Sequence, residues 1–247
     1  MTGGTPGEGA APTMGAVTVR LRCDPALEGH LPRPVPAQQA LPGWLKAMPM
    51  RARSDMHDGD IRTVKQCPPF IDAMRLGFTM LLPCEVRYAD GVFSWAWDLP
   101  EPSVAGHPRA PINFNAAAQV AGAPFGDDNL VKFVAFWTVE LPGGWSLLTT
   151  HPLNRDDLPF RTLTGLVDAD RFHEVGLLFP ARWLDAATPC TLPRGTPIAQ
   201  CIPLPRTSPA LDIGTMDPDA VTAFARTGQD LLSTPGVYRN RFRVRTR

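Results

Sequence analysis

Prolines are spread so densely through this chain that little room is left for long helices. The 247 residues include 28 prolines and 21 glycines, and 14 of the prolines lie from Pro100 to Pro205. Proline lacks the backbone N–H and clashes with the preceding helical turn, so this spacing favours short strands joined by many turns. The length suits one domain with a sizeable core. We therefore expect a mainly β protein.

The Asp90-Gly91 pair gives the clearest local prediction, a tight hairpin turn. Both residue types accept the positive backbone angles that two-residue hairpin loops require. One strand ends before the turn at Tyr88, and the returning strand covers residues 92–97, with its aromatic side chains on one face.

Proline and glycine residues also mark the boundaries of other predicted segments. One continuous strand is predicted over residues 131–140, which are rich in aromatic and β-branched side chains. A Pro-Gly-Gly turn then leads into a second strand over residues 145–150. Residues 50–63 are charged and predict an exposed loop, whereas residues 67–77 predict one helical turn that begins at a proline pair and ends at Gly77.

The C-terminal region predicts one clear helix. Asp217 stands in the cap position, Pro218 in the first helical position, and apolar residues follow at helical spacing. Beyond the helix, alternate residues from Arg239 to Arg247 are arginine, so an extended segment would place five guanidinium groups on one face. Such a strip could contact phosphates, although a solvated terminal strand or tail is the favoured interpretation.

Charge and cysteine content limit the partners and the compartment. Lys plus Arg and Asp plus Glu number 24 each, so the overall field attracts neither nucleic acid nor an anionic membrane, and only the arginine tail departs from this balance. Five cysteines without a Cys-x-x-Cys pair argue against a disulfide framework and a structural zinc site, which favours the cytoplasm. We expect residues 1–16 to be disordered, residues 17–210 to form a β-barrel domain, and residues 211–247 to form a C-terminal helix followed by a basic strand or tail.

The segment from His151 to Asp157 follows a predicted strand, so its polar side chains emerge together at the strand end. The amide of Asn154 can orient a base-like or carboxamide edge, and the planar fork of Arg155 suits phosphate or carboxylate. The alternative is a capped surface turn in which Arg155 pairs with a neighbouring aspartate.

A second polar group lies between Gly165 and Glu174 and contains Asp168, Asp170 and His173. On a strand, the two aspartates would face the same way, and two close carboxylates raise the pKa of one of them. This arrangement can supply a general base or a divalent-cation site. An Asp-Ala-Asp sequence is also common in ordinary turns.

Three sequence blocks in the region from Gly143 to Gln200, the first of which begins one residue earlier, resemble the deoxyuridine triphosphatase and deoxycytidine triphosphate deaminase superfamily. They are Pro142-Gly143, Gly165-Leu166-Val167-Asp168 and Gly195-Thr196-Pro197-Ile198-Ala199-Gln200. The resemblance implies a β-clip, or jelly-roll-like, barrel whose sites are usually shared between the subunits of a trimer. It also implies that Asp168 contacts a sugar or activates water. The wider sequence, including Cys67-Pro68-Pro69-Phe70 and residues 151–165, is similar to a family of uncharacterised phage and bacterial proteins, and this resemblance assigns no activity.

The chain departs from the superfamily where the phosphates would bind. Residues 151–154 read His-Pro-Leu-Asn in place of the phosphate-binding Arg-Ser-Ser, and no glycine-rich tail follows. The resemblance therefore carries over only Asp168 and does not extend to triphosphate hydrolysis.

A third interpretation is metal-dependent oxidation. His151, His173 and Asp168 or Asp170 supply two imidazoles and a carboxylate, which is the ligand set of a non-haem iron oxidoreductase. The usual His-x-Asp pair of such sites is absent, and the sequence identifies no cofactor.

We predict a small-molecule-binding β-barrel whose site lies where the 151–157 loop meets the 168–173 turn. Asp168 and His151 are the candidate catalytic residues, and the candidate ligand-binding residues are Asn154, Arg155, Asp170 and His173. The ligand would be nucleotide-like or another small anion, and whether it is chemically transformed stays open. The remaining alternative is a non-enzymatic, phage-derived structural or regulatory module that assembles as a homo-oligomer.

Overall fold

The computed structural model describes residues 16–124 and 129–244, and short antiparallel strands are its dominant elements. The strands, β1 to β16, are Arg20–Arg22, Val35–Pro36, Arg51–Ser54, Gly59–Arg62, Phe78–Leu81, Val86–Ala89, Val92–Trp95, Ile112–Phe114, Asn129–Val134, Thr138–Glu140, Trp145–Thr150, Phe160–Thr162, Gly165–Val167, Leu178–Trp183, Cys190–Leu192 and Pro197–Pro205. The α-helices, α1 to α3, are Gly43–Ala47, Pro68–Arg75 and Pro218–Ser233. Single 3-10 turns cover Pro25–Leu27, Ala37–Ala40, Val64–Gln66 and Ala117–Val120.

These elements confirm the predicted class, which is mainly β with short helices and a C-terminal helix. No helix in the described part is long and apolar enough to cross a bilayer. The disorder predicted for residues 1–16 falls, apart from Ala16, outside the described residues.

Two antiparallel sheets supply most of the core. One has the strand order β13-β11-β16-β5-β2, and the other has the order β12-β14-β9-β8. Fully buried side chains of both sheets belong to one hydrophobic cluster, and they include Met80, Phe133, Leu147, Phe160, Phe179 and Ile198. A three-stranded sheet, β15-β6-β7, contributes Val86, Tyr88 and Leu192 to the same cluster.

The predicted closed barrel is wrong. Within the described residues the strands form five separate sheets, because no backbone pairing joins the edges of the two large ones. At the edges of the four-stranded sheet, β8 and β12 have only three residues each. Pro111 and Pro159 stand directly before them and offer no N–H to extend the pairing.

The strand predicted over residues 131–140 is two strands, β9 and β10, with a break at Phe136. Phe136 has a φ of 56°, in the left-handed region that a bulky side chain rarely adopts. This conformation costs about 1 kcal/mol. The ring is buried and lies 5.2 Å from the ring of Trp97 and 5.5 Å from that of His107. The break therefore forms a corner stabilised by aromatic contacts.

The structure confirms the predicted hairpin turn at Asp90-Gly91 and contradicts the loop predicted over residues 50–63. Asp90 and Gly91 have φ values of 52° and 77°, which confirms the hairpin turn between β6 and β7. The exposed loop predicted over residues 50–63 is wrong, because β3 and β4 pair there as a two-stranded ribbon. Seven of the eight strand residues are polar, glycine or alanine, so the apolar alternation that marks a strand is missing.

The helix predicted after the proline pair is confirmed as α2, which is one turn longer than expected. Gly77 follows it with a φ of 70°, and a Cβ at this position would lie 2.1 Å from the carbonyl oxygen of Cys201. Only glycine fits here, because β16 passes directly against the end of α2.

The C-terminal helix α3 begins where the sequence predicts. The carboxylate of Asp217 accepts a hydrogen bond from the backbone N–H of Ala220 at 2.7 Å, as an N-cap residue does. No residue of α3 is buried, and its apolar residues Val221, Phe224 and Leu232 are all exposed.

The extended arginine strip is wrong in the part of the tail that the structure describes. Tyr238–Phe242 forms a π-helical turn, so the arginines point to separate partners. Arg241 pairs with Asp230 at 2.6 Å, and Arg243 pairs with Asp72 at 2.6 Å. Arg245 and Arg247 lie outside the described residues.

Candidate functional site

Pairing between β11 and β13 sets the distance between the two groups predicted to form the site. The strands are antiparallel, with Leu147 opposite Val167 and Thr149 opposite Gly165. The loop that follows β11 and the turn that follows β13 therefore lie at opposite ends of the pair. Five residues of strand separate Ser146 from His151, a span of roughly 17 Å. One chain does not bring the loop and the turn together, contrary to our prediction.

His151 holds the loop in place through both of its ring nitrogens. Nδ1 accepts a hydrogen bond from the backbone N–H of Thr162 at 3.2 Å, and Nε2 lies 2.7 Å from the carbonyl oxygen of Arg155. These contacts assign the proton to Nε2, which then donates to that carbonyl. Burial lowers the pKa of His151 and favours the neutral ring. Both nitrogens of the His151 imidazole therefore serve to stabilise the loop in this conformation.

Arg155 is engaged within its own loop. Its Nε and Nη2 donate to the two carboxylate oxygens of Asp157 at 2.7 and 3.0 Å, and its side chain is only 10% exposed. Burial would raise the pKa of Asp157, but the hydrogen bonds from Arg155 outweigh that effect and lower it. Asp157 therefore occupies the Arg155 guanidinium that we predicted to hold an anion. The pairing of Arg155 with a neighbouring aspartate is the alternative that the sequence left open.

A polar cleft of about 290 Å³ lies beside this loop, and we call it the loop cleft. Its lining includes Thr150, Asn154, Asp156, Arg161 and Thr164. The hydroxyl oxygens of Thr150 and Thr164 are 2.9 Å apart, and Arg161 forms an ion pair with Asp156. Asn154, at a φ of 58°, is exposed, and its amide forms no hydrogen bond with any described residue.

Arg161 was not identified from the sequence. It lies on β12, and its guanidinium reaches the cleft from the strand that returns after the loop. The sequence feature that could have identified Arg161 is its position six residues after Arg155, on the first strand after the turn.

Gln200 was noted in the sequence only as the last residue of a motif. In the structure its buried side chain holds the 151–157 loop in place. Its Oε1 accepts a hydrogen bond from the backbone N–H of Leu153 at 3.0 Å. Its Nε2 donates to the carbonyl oxygens of Ala73 and Leu76 at 2.9 and 2.7 Å. The residue is 2% exposed, so one buried amide connects the loop to the C-terminal end of α2.

The opposite end of the strand pair holds a second polar group, which we call the turn cluster: Ser146, Asp168, Asp170 and Arg206. Ser146 donates to Asp168 at 2.8 Å, and Arg206 lies 3.3 Å from Asp168 and 2.5 Å from Asp170. The hydrogen bond from Arg206 lowers the pKa of Asp170. The expected repulsion between the aspartates, with a raised pKa, is wrong for Asp170 because Arg206 lies close to both carboxylates.

The iron site proposed from His151, Asp168 and His173 is also wrong. His151 and Asp168 lie at opposite ends of the strand pair, and both nitrogens of His151 already have partners. Within residues 16–124 and 129–244, no group of three or more His, Cys, Asp and Glu side chains could hold a metal ion. His173 is half-buried in the segment after the turn cluster.

Comparisons with known proteins give a distant structural likeness. No protein-family model matches the chain, and no curated protein matches it. A mutant dUTPase of Staphylococcus bacteriophage 80alpha with dUpNHpp is 11% identical, with a TM-score of 0.37 over 81% of this chain and 90% of that chain. A mutant dUTPase from phage phi11 of S. aureus is 11% identical, with a TM-score of 0.38 over 81% and 99%. Likeness at this level assigns neither a ligand nor an activity to the present chain.

Proposed function

We propose that this protein binds a small anionic ligand, such as a nucleotide or another phosphate-bearing molecule, in the loop cleft. The observation that carries the proposal is the meeting of the Arg161 guanidinium, the Thr150 and Thr164 hydroxyls and the Asn154 amide at a single cleft of about 290 Å³. These are the donor types that bind phosphate oxygens and orient a polar ring.

Arg161 is the group that meets the anion in this proposal. Its side chain is 51% exposed and that of its partner Asp156 is 78% exposed, so their ion pair contributes at most about 1 kcal/mol. A phosphate can replace Asp156 and accept two parallel hydrogen bonds from the guanidinium. His151 and Arg155 act by shaping the loop, and Asn154 orients the uncharged part of the ligand.

Asp168 takes part only if a second copy of the chain supplies it. The turn cluster lies roughly 17 Å from the loop of the same chain. A homo-oligomer with shared sites, as the superfamily resemblance implies, would place Asp168, Asp170 and His173 of one copy beside the loop cleft of another. Asp168 is then the candidate base, and catalysis requires this assembly.

Calorimetric titration with dUMP, pyrophosphate and deoxyuridine tests the binding proposal. We expect dUMP and pyrophosphate to bind, and deoxyuridine to bind at least tenfold more weakly because it lacks the anionic group. Arg161→Gln should weaken dUMP binding about tenfold. Arg87→Gln is the matched control, because Arg87 is also an exposed, ion-paired arginine on a strand.

Equal binding by the Arg161 variant and the wild type would exclude the loop cleft as the site. If none of the three compounds binds, the proposal fails and the non-enzymatic module becomes the better interpretation. Sedimentation velocity tests the assembly separately, since a monomer at tens of micromolar would remove Asp168 from any shared site.

A further inference from the structure

A second cavity of about 270 Å³ lies away from the loop cleft, at the corner where β9 and β10 meet. We call it the corner pocket. Its walls come from the end of β1, the loop at residues 104–108 and the segment at residues 174–176. Its lining is mostly apolar and includes Val134 and Phe136, both of which are buried in the core. No residue of the loop cleft or the turn cluster lines it.

The pocket is held open by a well-anchored loop. The carboxylate of Asp24 accepts hydrogen bonds from the backbone N–H and the hydroxyl of Ser103 at 3.1 and 2.8 Å. It also accepts from the backbone N–H groups of Val104 and Ala26 at 2.7 and 2.8 Å. Four hydrogen bonds on one buried carboxylate fix the loop relative to β1, so the cavity is largely preformed.

The floor of the pocket is aromatic and strained. Phe136 occupies the left-handed backbone region, and strain of this kind clusters at ligand sites. The His107 ring lies nearly parallel to the Phe136 ring, with an angle of 24° between their planes. A flat ring placed in the pocket would meet aromatic and aliphatic surface, which favours offset or edge-to-face packing.

The rim combines exposed apolar groups with two opposite charges. Val104 and Val175 are 56% and 52% exposed, although both line the cavity. Arg22 and Glu174 also line it and are exposed, and neither forms an ion pair with any described residue. Arg22 donates to the backbone carbonyl of Leu21 at 2.8 Å. The rim therefore presents one cation and one anion, neither of them ion-paired with a described residue, above an apolar floor.

We propose that the corner pocket binds a small aromatic zwitterion, with its ring on the Phe136 floor, its carboxylate at Arg22 and its ammonium at Glu174. The volume admits one small ring system with a short side chain, since it lies near the lower end of ligand-pocket sizes. A neutral ring would leave both rim charges unused, and a singly charged one would leave one.

Titration calorimetry with four compounds that share the indole ring and differ in the charged groups of the side chain tests the proposal on the full chain. The probes are indole, tryptamine, indole-3-acetate and L-tryptophan. We expect L-tryptophan to bind most tightly, about tenfold above either singly charged probe. Arg22→Gln should weaken L-tryptophan and indole-3-acetate about tenfold and leave tryptamine unchanged. Glu174→Gln should weaken L-tryptophan and tryptamine and leave indole-3-acetate unchanged.

Arg20→Gln is the matched control, because Arg20 lies two residues before Arg22 on β1 and pairs with Glu140 outside the pocket lining. It should leave the affinity for all four probes unchanged. The absence of binding by every probe would overturn the proposal, as would equal affinities across the series or equal effects of the three substitutions. A negative result for the corner pocket would not contradict the ligand proposed for the loop cleft, because the two sites share no residue.

Discussion

The two ends of the β11–β13 strand pair use the same residue types in different surroundings. At the loop end, Arg155 is 10% exposed and holds Asp157 with two hydrogen bonds. At the turn end, Arg206 is 37% exposed and lies between Asp168 and Asp170. At the loop end the guanidinium is the buried partner, whereas at the turn end the carboxylate of Asp170 is 8% exposed and the guanidinium stays partly open to solvent. An arginine beside two aspartates is thus a stability element or an accessible polar site depending on burial.

The largest effect is expected at the loop end from Gln200→Leu. The substitution removes the hydrogen bonds of Gln200 to the backbone N–H of Leu153 and to the carbonyls of Ala73 and Leu76. The carbonyl of Ala73 keeps only the hydrogen bond from the backbone N–H of Leu76 at 3.3 Å. We expect a loss of about 3 kcal/mol in the free energy of unfolding, measured by urea denaturation. Gln38→Leu, at an exposed position, is the control and should change stability by less than about 0.5 kcal/mol.

Arg155→Met should have the next largest effect. It removes both hydrogen bonds to Asp157 and leaves a partly buried carboxylate without its cation. Because the Asp157 side chain is 39% exposed, solvent compensates for part of the loss, and we expect about 2 kcal/mol of destabilisation by urea denaturation. The same substitution at Arg206 should destabilise less, because Arg206 is itself 37% exposed and the backbone N–H of Gly144 still donates to Asp170, whose side chain is 8% exposed. An equal loss at both arginines would contradict the contrast between the two ends.

The pH dependence of stability distinguishes the buried imidazole of the loop end. Burial lowers the pKa of His151 in the folded protein, so the unfolded chain binds a proton more readily below pH ~6.5. Stability is therefore fully present above that pH and decreases as the pH falls, by at most about 1.4 kcal/mol per unit for this proton. His151→Gln should reduce the slope of the unfolding free energy between pH 6.5 and 5, and His30→Gln should retain it.

The smallest effect is expected at the turn end from Asp170→Asn. Arg206 is 37% exposed and keeps its contact with Asp168, and asparagine retains a carbonyl oxygen that can accept from the backbone N–H of Gly144, so the melting temperature should fall by no more than about 2 °C. The difference from the wild type should shrink in 0.5 M NaCl, because salt screens exposed charges. A large decrease in melting temperature that persists in high salt would show that the turn cluster stabilises the fold as strongly as the loop end does.

Local sequence signals were sufficient where neighbouring residues determine the structure. The strand over residues 145–150 and the helix capped by Asp217 are found where they were predicted. Phe136 shows the limit of this reasoning, because its segment has strong strand propensity and yet turns a corner. Contacts with Trp97 and His107, 39 and 29 residues earlier in the chain, stabilise that corner, and no local pattern encodes them.

The site could be predicted only in part for a similar reason. The sequence identified Asn154 as an exposed amide, but the choice of Arg155 between a ligand and Asp157 depends on burial. Arg161 reaches the cleft because β12 returns beside the loop, and this follows from tertiary pairing. The turn cluster required Arg206, which lies 36 residues beyond Asp170 and meets it only across β11 and β16.

The anchoring of the cleft by Gln200 makes the loop sensitive to the number of residues in α2. Ala73 lies in the last turn of α2 and Leu76 directly follows the helix, so one residue inserted between them would shift the two carbonyls relative to each other, and the amide of Gln200 could no longer donate to both. Insertions at this helix should therefore be tolerated poorly, even though its N-terminal proline pair lies far from the cleft along the chain. Length variants of α2 would report on the loop without altering any residue of the loop itself.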